Sequence, residues 1–160
     1  MPAFDASSIL HAWINYPSGQ FPKLWDWISE EIAAGRFVIS RVALDEVGHR
    51  SPDCAKWLKD HFIQEIPPTN TTIAYALVMK SALGIVNDQY HPNGVDENDL
   101  LIIASAQASG CELISNEARQ PLLPTVMARY KIPAVCELRA VNVPCIDFLE
   151  LLTRSGRSFG

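Results

Sequence analysis

Short apolar runs separated by stretches of helical period recur along this chain, and no other feature constrains its fold as much. Ala3–Asp5, Phe37–Ile39, Cys111–Ser115 with its Leu113–Ile114 centre, and Val141–Ile146 each read as a brief buried strand. Pro144 suits the start of its strand or a sheet edge, because proline donates no ladder hydrogen bond. Between these runs the apolar residues recur at helical spacing. Leu24, Trp25, Ile28, Ile32 and Ala33 mark a helix over 22–34 that Gly35 terminates. Further helices are expected from Ser40 to Val47, with Ser40 as cap and Gly48 and Pro52 limiting it, and from an Asp53 cap to His61. Others are expected over Thr72–Ala82, from Asp96 or Asn98 to Ala108, over Leu123–Tyr130, from Pro133 to about Arg139, and around Phe148, Leu151 and Leu152. Ser7 and Ser8 can cap a helix over Ile9–Ile14. His91–Pro92–Asn93–Gly94 is a turn, and Ile66–Pro67–Pro68 is a linker too brief to separate domains. Strands alternating with helices predict an α/β layer fold in place of a helical bundle. In such a fold the loops leaving the strand ends form the natural crevice for a site.

The chain's 160 residues, 48% of them hydrophobic, match one domain spanning 1–160, with residues 154–160 expected as a flexible tail. Thirteen Lys and Arg stand against eighteen Asp and Glu, a formal charge of −5 that offers no global attraction for a polyanion. That balance argues against a DNA-coating protein, but not against an enzyme that reaches phosphate through bound cations. Cys54, Cys111, Cys136 and Cys145 are scattered, fitting neither a disulfide framework nor a paired-cysteine zinc module. The N-terminal stretch does not read as a signal peptide, and no apolar run is long enough to cross a bilayer. A cytoplasmic protein with no membrane contact is therefore expected.

Four acids adjoin apolar segments that would hold their backbones firmly. Asp5 ends the first stub, Glu46 sits in Leu44–Asp45–Glu46–Val47, Asp99 leads into Leu100–Ala106, and Glu117 follows Leu113–Asn116. If the strands are parallel, Asp5 and Glu117 meet at one sheet edge, with Asp99 and Glu46 facing them from neighbouring helix starts. Clustered carboxylates are hard oxygen ligands suited to Mg²⁺ or Mn²⁺, which bind substrate phosphate and activate water. Spacing alone also allows the plainer alternative, that these acids are helix caps and solvated surface groups.

These segments together resemble the PIN-like nuclease superfamily, and within it a single-domain, DUF4411-like branch with a Trp-rich first third and an Asn-Glu fourth acidic motif. Phe4–Ser8 resembles the first acidic motif, Glu46 the second, Asp99 with Leu100–Ala106 the third, and Leu113–Glu117 the fourth. The likeness runs from Phe4 to about Leu152. It implies a three-layer α/β/α sandwich with a mainly parallel central sheet. It also implies a Mg²⁺- or Mn²⁺-dependent endoribonuclease of the toxin–antitoxin type, with RNA as substrate, a separate antitoxin as protein partner, and homodimerisation. On this resemblance Asp5, Glu46, Asp99 and Glu117 are the catalytic acids, and Asp5, Asp99 and Glu117 are the metal ligands. Ser7 and Ser115 support them, while Asp96 is an extra nearby acid that either joins the site or serves as a helix cap or solvated group. Two departures stand out: Ser115 replaces a frequent threonine, and Glu117 replaces a frequent aspartate, lengthening its reach by one methylene.

Substrate contacts are expected from Arg41, His49 and Arg50 around Glu46, joined by Lys56 and Lys59, and from Arg119 just beyond Glu117. Trp13, Trp25, Trp27 and Trp57 read as packing residues before base-stacking ones. No nucleophile elbow or phosphate-cradling glycine motif is present. The alternative function is a noncatalytic RNA-binding or protein-interaction module that keeps the fold.

Overall fold

In the computed structural model, which describes residues 1–160, five strands form one sheet in which every neighbouring pair is parallel. The strands are β1 (Pro2–Phe4), β2 (Val38–Ser40), β3 (Gln64–Ile66), β4 (Glu112–Ile114) and β5 (Cys145–Ile146), and their order is β3-β2-β1-β4-β5. The helices are α1 (Ala6–Asn15), α2 (Pro22–Ala33), α3 (Arg41–Arg50), α4 (Pro52–Asp60), α5 (Asn70–Ala82), α6 (Glu97–Ser109), α7 (Ile132–Cys136) and α8 (Phe148–Ser155). They complete a three-layer α/β/α sandwich. The three central strands are mostly apolar and buried, with Ser40 and Glu112 at their ends, the composition that a parallel sheet covered on both faces demands.

From β1 the chain steps outward to β2 and β3, then returns to the other side of β1 for β4 and β5. The direction therefore reverses between β1 and β4, and their carboxyl ends open the crevice. Ala3 pairs with Leu113 and Phe4 with Ile114, and the Asp5 backbone N–H closes the ladder on the Ile114 carbonyl at 3.0 Å. Asp5 and Ser115 thus leave neighbouring strands side by side.

Helix starts follow the strands closely, and this moves several caps from their expected places. Asp5 itself caps α1, so Ser7 and Ser8 lie inside the first turn. Ser51, ahead of Pro52, caps α4, displacing Asp53 into its first turn. Gly48 does not end α3, which continues to Arg50. Asp96 and Asp99 form a reciprocal capping box at the start of α6, choosing Asp96 over Asn98.

Two expectations fail more substantially. The helix read over Leu123–Tyr130 is only a 3₁₀ turn at Met127–Arg129, and Leu122, Leu123 and Val126 are exposed. Pro121 and Pro124 explain the loss, since proline removes helical donors and restricts the residue before it. The helix from Pro133 stops at Cys136, well short of Arg139. One strand escaped the sequence pattern altogether: β3 is an edge strand whose Gln64 and Glu65 are exposed, so it carries no apolar run.

The tryptophans pack. Trp25 and Trp27 are buried, and Trp13 and Trp57 are half-buried, with the Trp25 and Trp57 rings 4.9 Å apart edge to face. Phe159 lies against Trp27 at 5.2 Å. All four cysteines are free thiols.

Candidate functional site

Asp5 sits at the carboxyl end of the central strand with only 2% of its surface exposed. Its carboxylate accepts the Ser8 backbone N–H at 2.8 Å, the Ser7 hydroxyl at 2.7 and 2.9 Å, and the Ser115 hydroxyl at 2.7 Å. A carboxylate has about four acceptor positions, so these bonds nearly fill it. Burial nevertheless pushes the Asp5 carboxyl above its ordinary value, outweighing the donors from Ser115, Ser7 and Ser8 that oppose the shift.

The same serines tie β1 to the loop after β4. Ser7 Oγ accepts the Asn116 N–H at 2.9 Å, and Ser115 Oγ accepts the Glu117 N–H at 3.2 Å. Ser8 Oγ donates to the Ile114 carbonyl at 2.6 Å. Asn116 Oδ1 receives the Phe148 N–H at 3.0 Å, anchoring this loop to the start of α8. In the sequence Asn116 stands out only as part of the fourth acidic motif; its clamping role depends on where α8 returns, which no local pattern encodes. Glu117 emerges half-buried beside α7, near the Ile132 N–H.

From the opposite side, α6 presents Asp99 and α3 presents Glu46, both half-buried. One Asp99 oxygen accepts the Asp96 N–H at 3.0 Å, and Asp96 returns the bond to the Asp99 N–H at 2.9 Å. Burial, and then the charges of Asp96, Glu117 and Glu46, push Asp99 up to about 8 against that backbone bond. Burial also raises Glu46, with Asp96, Asp5 and Glu117 adding to the rise and Arg50 opposing it. Glu117 is raised by burial and then by Asp5, while Lys131 and the Ile132 N–H pull it down. The acids therefore lie within reach of one another's fields, although they come from remote parts of the chain.

No three His, Cys, Asp or Glu side chains are grouped tightly enough, as arranged, to hold one metal ion. The hydrogen bonds give the reason: Asp5 turns to its own serines, and Asp99 spends an oxygen on its helix cap. The donor chemistry still suits a hard divalent cation, because the group is all carboxylate and its like charges require a counter-charge.

The remaining candidates divide. Arg50 and His49 are exposed near the end of α3, and Arg50 is close enough to act on Glu46. Arg41 stands 3.8 Å from Glu65 on the β3 edge. Arg119 donates to the Cys145 carbonyl at 2.8 Å and lies 3.9 Å from Glu150, so it faces β5 and α8. Lys56 is paired with Asp60 at 2.5 Å, and Lys59 is exposed on the same helix. Lys131, which no sequence signal marked, is the cation acting on Glu117. Burial pushes the Cys54 thiol up to about 12, which is wrong for a nucleophile at neutral pH.

This sheet order, with acids gathered at the carboxyl edge, defines a three-layer α/β/α domain. A chain in the crystal structure of VapBC2 from Rickettsia felis, bound to a DNA fragment from their promoter, shares the fold. It superposes with a TM-score of 0.57 at 16% identity, covering 92% of this chain and 98% of that one. The model of the domain of unknown function DUF4411 matches residues 3–159, and the chain belongs to that family. No curated protein matches it in sequence.

Proposed function

We propose that this protein is a metal-dependent endoribonuclease that hydrolyses RNA phosphodiester bonds, and that it serves as the toxin of a toxin–antitoxin pair. One observation carries the reading. Asp5, Glu46, Asp99 and Glu117 come from four separate segments to one sheet edge; burial raises all four carboxyls, and neighbouring acids add to the rise at Glu46, Asp99 and Glu117. Capping explains Asp5 and Asp99 singly, but not the convergence of four raised carboxyls, and a function that needs the negative field accounts for it better.

In this reading Asp5, Asp99 and Glu117 would hold Mg²⁺ or Mn²⁺. A bound ion would supply Lewis-acid stabilisation of phosphate charge and lower the pKa of an attacking water. Ser115 and Ser7 orient Asp5 through the hydroxyls already bonded to it. Glu46, on α3, would orient the water. Asp96 holds Asp99 through the capping box. Arg50 and His49 are the cationic and polar groups beside Glu46 that substrate phosphate can meet. The likeness to a VapBC chain supports a protein antitoxin as partner, and a homodimer accords with the same reading. No helix of the molecule is long and apolar enough to cross a membrane.

A noncatalytic binding module is favoured by a different observation, the near-complete hydrogen bonding of Asp5 and the lack of a ready three-ligand group. Purified protein and D99N, incubated with RNA and DNA oligonucleotides in Mg²⁺, Mn²⁺ or chelator, separate the two. Cleavage that needs the ion and disappears in folded D99N supports the nuclease. Equal cleavage by both proteins sinks the proposed site, and binding without cleavage leaves the module.

A further inference from the structure

The loop between Glu117 and α7 spends several contacts on placing one residue. The Lys131 N–H donates to Gln120 Oε1 at 2.8 Å, and Gln120 Nε2 donates to the Arg129 carbonyl at 3.1 Å. The Val95 N–H donates to the Tyr130 carbonyl at 2.9 Å, tying the loop to the turn that starts α6. Gly94 allows that contact: a Cβ there would sit 1.9 Å from the Ala128 carbonyl oxygen. Lys131 is consequently held between the segment carrying Glu117 and the segment carrying Asp96 and Asp99. It is half-buried, yet it takes part in none of the molecule's ion pairs.

A half-buried lysine set beside these acids and ion-paired to none of them keeps its charge available for an anion that arrives from outside. The protein's own acids supply attraction but no contact within ion-pair distance. Arg50 is the matching case on the other flank, also outside every ion pair and close to Glu46. Glu46 and Arg50 belong to α3, which follows β2; Lys131 follows β4, with β1 and Asp5 between them. The two cations therefore belong to segments on opposite sides of β1, one beside Glu46 and one beside Glu117, an arrangement that suits successive phosphates of an extended strand.

We propose that Lys131 and Arg50 are a two-ended phosphate clamp, so that single-stranded RNA crosses the sheet edge from α3 to α7 with an internal phosphodiester over the acids. The proposal rests on the nuclease reading for its substrate, and it makes that substrate a chain with a phosphate on both sides of the scissile one. A terminal phosphate or a dinucleotide would engage only part of the clamp.

Binding of a labelled single-stranded RNA to D99N, measured by anisotropy over a salt series, tests the clamp separately from turnover. For single strands each lost phosphate contact lowers the slope of log K against log salt by about 0.7. D99N/K131A and D99N/R50A should each lose about that much, the triple variant about 1.4, and D99N/K131R should keep the slope. Circular dichroism confirms that each variant is folded. In the cleavage assay, an uncharged methylphosphonate on either flank of the scissile bond should slow the unmodified protein and leave K131A or R50A less sensitive on its own side. Unchanged salt slopes in the folded variants, or no salt-dependent binding at all, overturn the clamp. If the unmodified protein cleaves nothing while the slopes fall as stated, the nuclease reading fails and the clamp stands. If it cleaves RNA while the slopes stay unchanged, the nuclease reading stands and the clamp fails.

Discussion

The two ends of the sheet use the same residue types in opposite ways. At the amino edge, Arg36 donates to both Glu31 oxygens at 2.7 and 2.8 Å, and Arg154 pairs with Glu112. Arg36 holds the Glu31 carboxyl below its ordinary value. At the carboxyl edge, burial raises Asp5, Glu46, Asp99 and Glu117, and neighbouring acids raise the last three further with too few cations in reply. One edge is neutralised from within the chain. The other is left with charge that only an outside cation can compensate, and that contrast marks the site more sharply than any single residue does.

Removing an acid from the uncompensated edge should produce the largest effect. Asp5→Asn and Asp99→Asn are expected to lower RNA cleavage by more than about a hundredfold, beyond what loss of an outer-shell partner produces. Single-turnover assays on protein of verified fold measure it. Retention of most activity in both variants would show that the edge is merely acidic.

Next in size is the serine support. Ser115→Ala should reduce activity by about 10- to 100-fold and destabilise the fold by about 1–3 kcal/mol, because buried Asp5 loses a charge-assisted bond. Restoration by Ser115→Thr, which keeps the hydroxyl, distinguishes orientation of Asp5 from simple loss of packing.

The pH dependence of stability carries a definite sign. Asp99 is raised from an ordinary carboxylate value to about 8. Between about pH 4 and about pH 8 the folded state holds a proton that the unfolded chain has released, so stability falls as pH rises through that window. Urea midpoints compared near pH 5 and near pH 8 should show the fall in the unmodified protein and a shallower one in D99N. Mn²⁺ should offset it at the higher pH by binding the ionised acids. An identical slope in D99N would remove Asp99 as its source.

The smallest effect belongs to the paired edge. Arg154→Ala breaks a partly exposed ion pair and should lower Tm by less than about 3 °C while leaving cleavage intact. Loss of cleavage there would dissolve the distinction between the two edges.

Much of this organisation is legible in the sequence, and the exceptions share a physical cause. The buried strands β1, β2 and β4 announce themselves because both faces are covered and each centres on buried apolar residues. β3 does not, because an exposed edge strand needs no apolar residue, and Gln64–Glu65 looks like loop. Leu122, Leu123 and Val126 mislead in the other direction: apolar spacing suggests a helix, but prolines prevent it and the residues stay exposed. Asp5, Glu46, Asp99 and Glu117 are readable as acids next to rigid segments, since a short apolar strand or a helix start leaves a local mark.

Local composition and period determine the α/β class, the buried strands, most helices and the four acids, because each of these is set by residues a few positions apart. The tertiary structure alone decided the order β3-β2-β1-β4-β5, and with it which acids share an edge. It also decided that Asp5 caps its own helix and binds Ser115 from another strand, that Asn116 reaches α8, and that Arg119 faces away while Lys131 faces in. These relations depend on chain segments far apart in sequence, and a contact across a hundred residues has no period for a sequence to show.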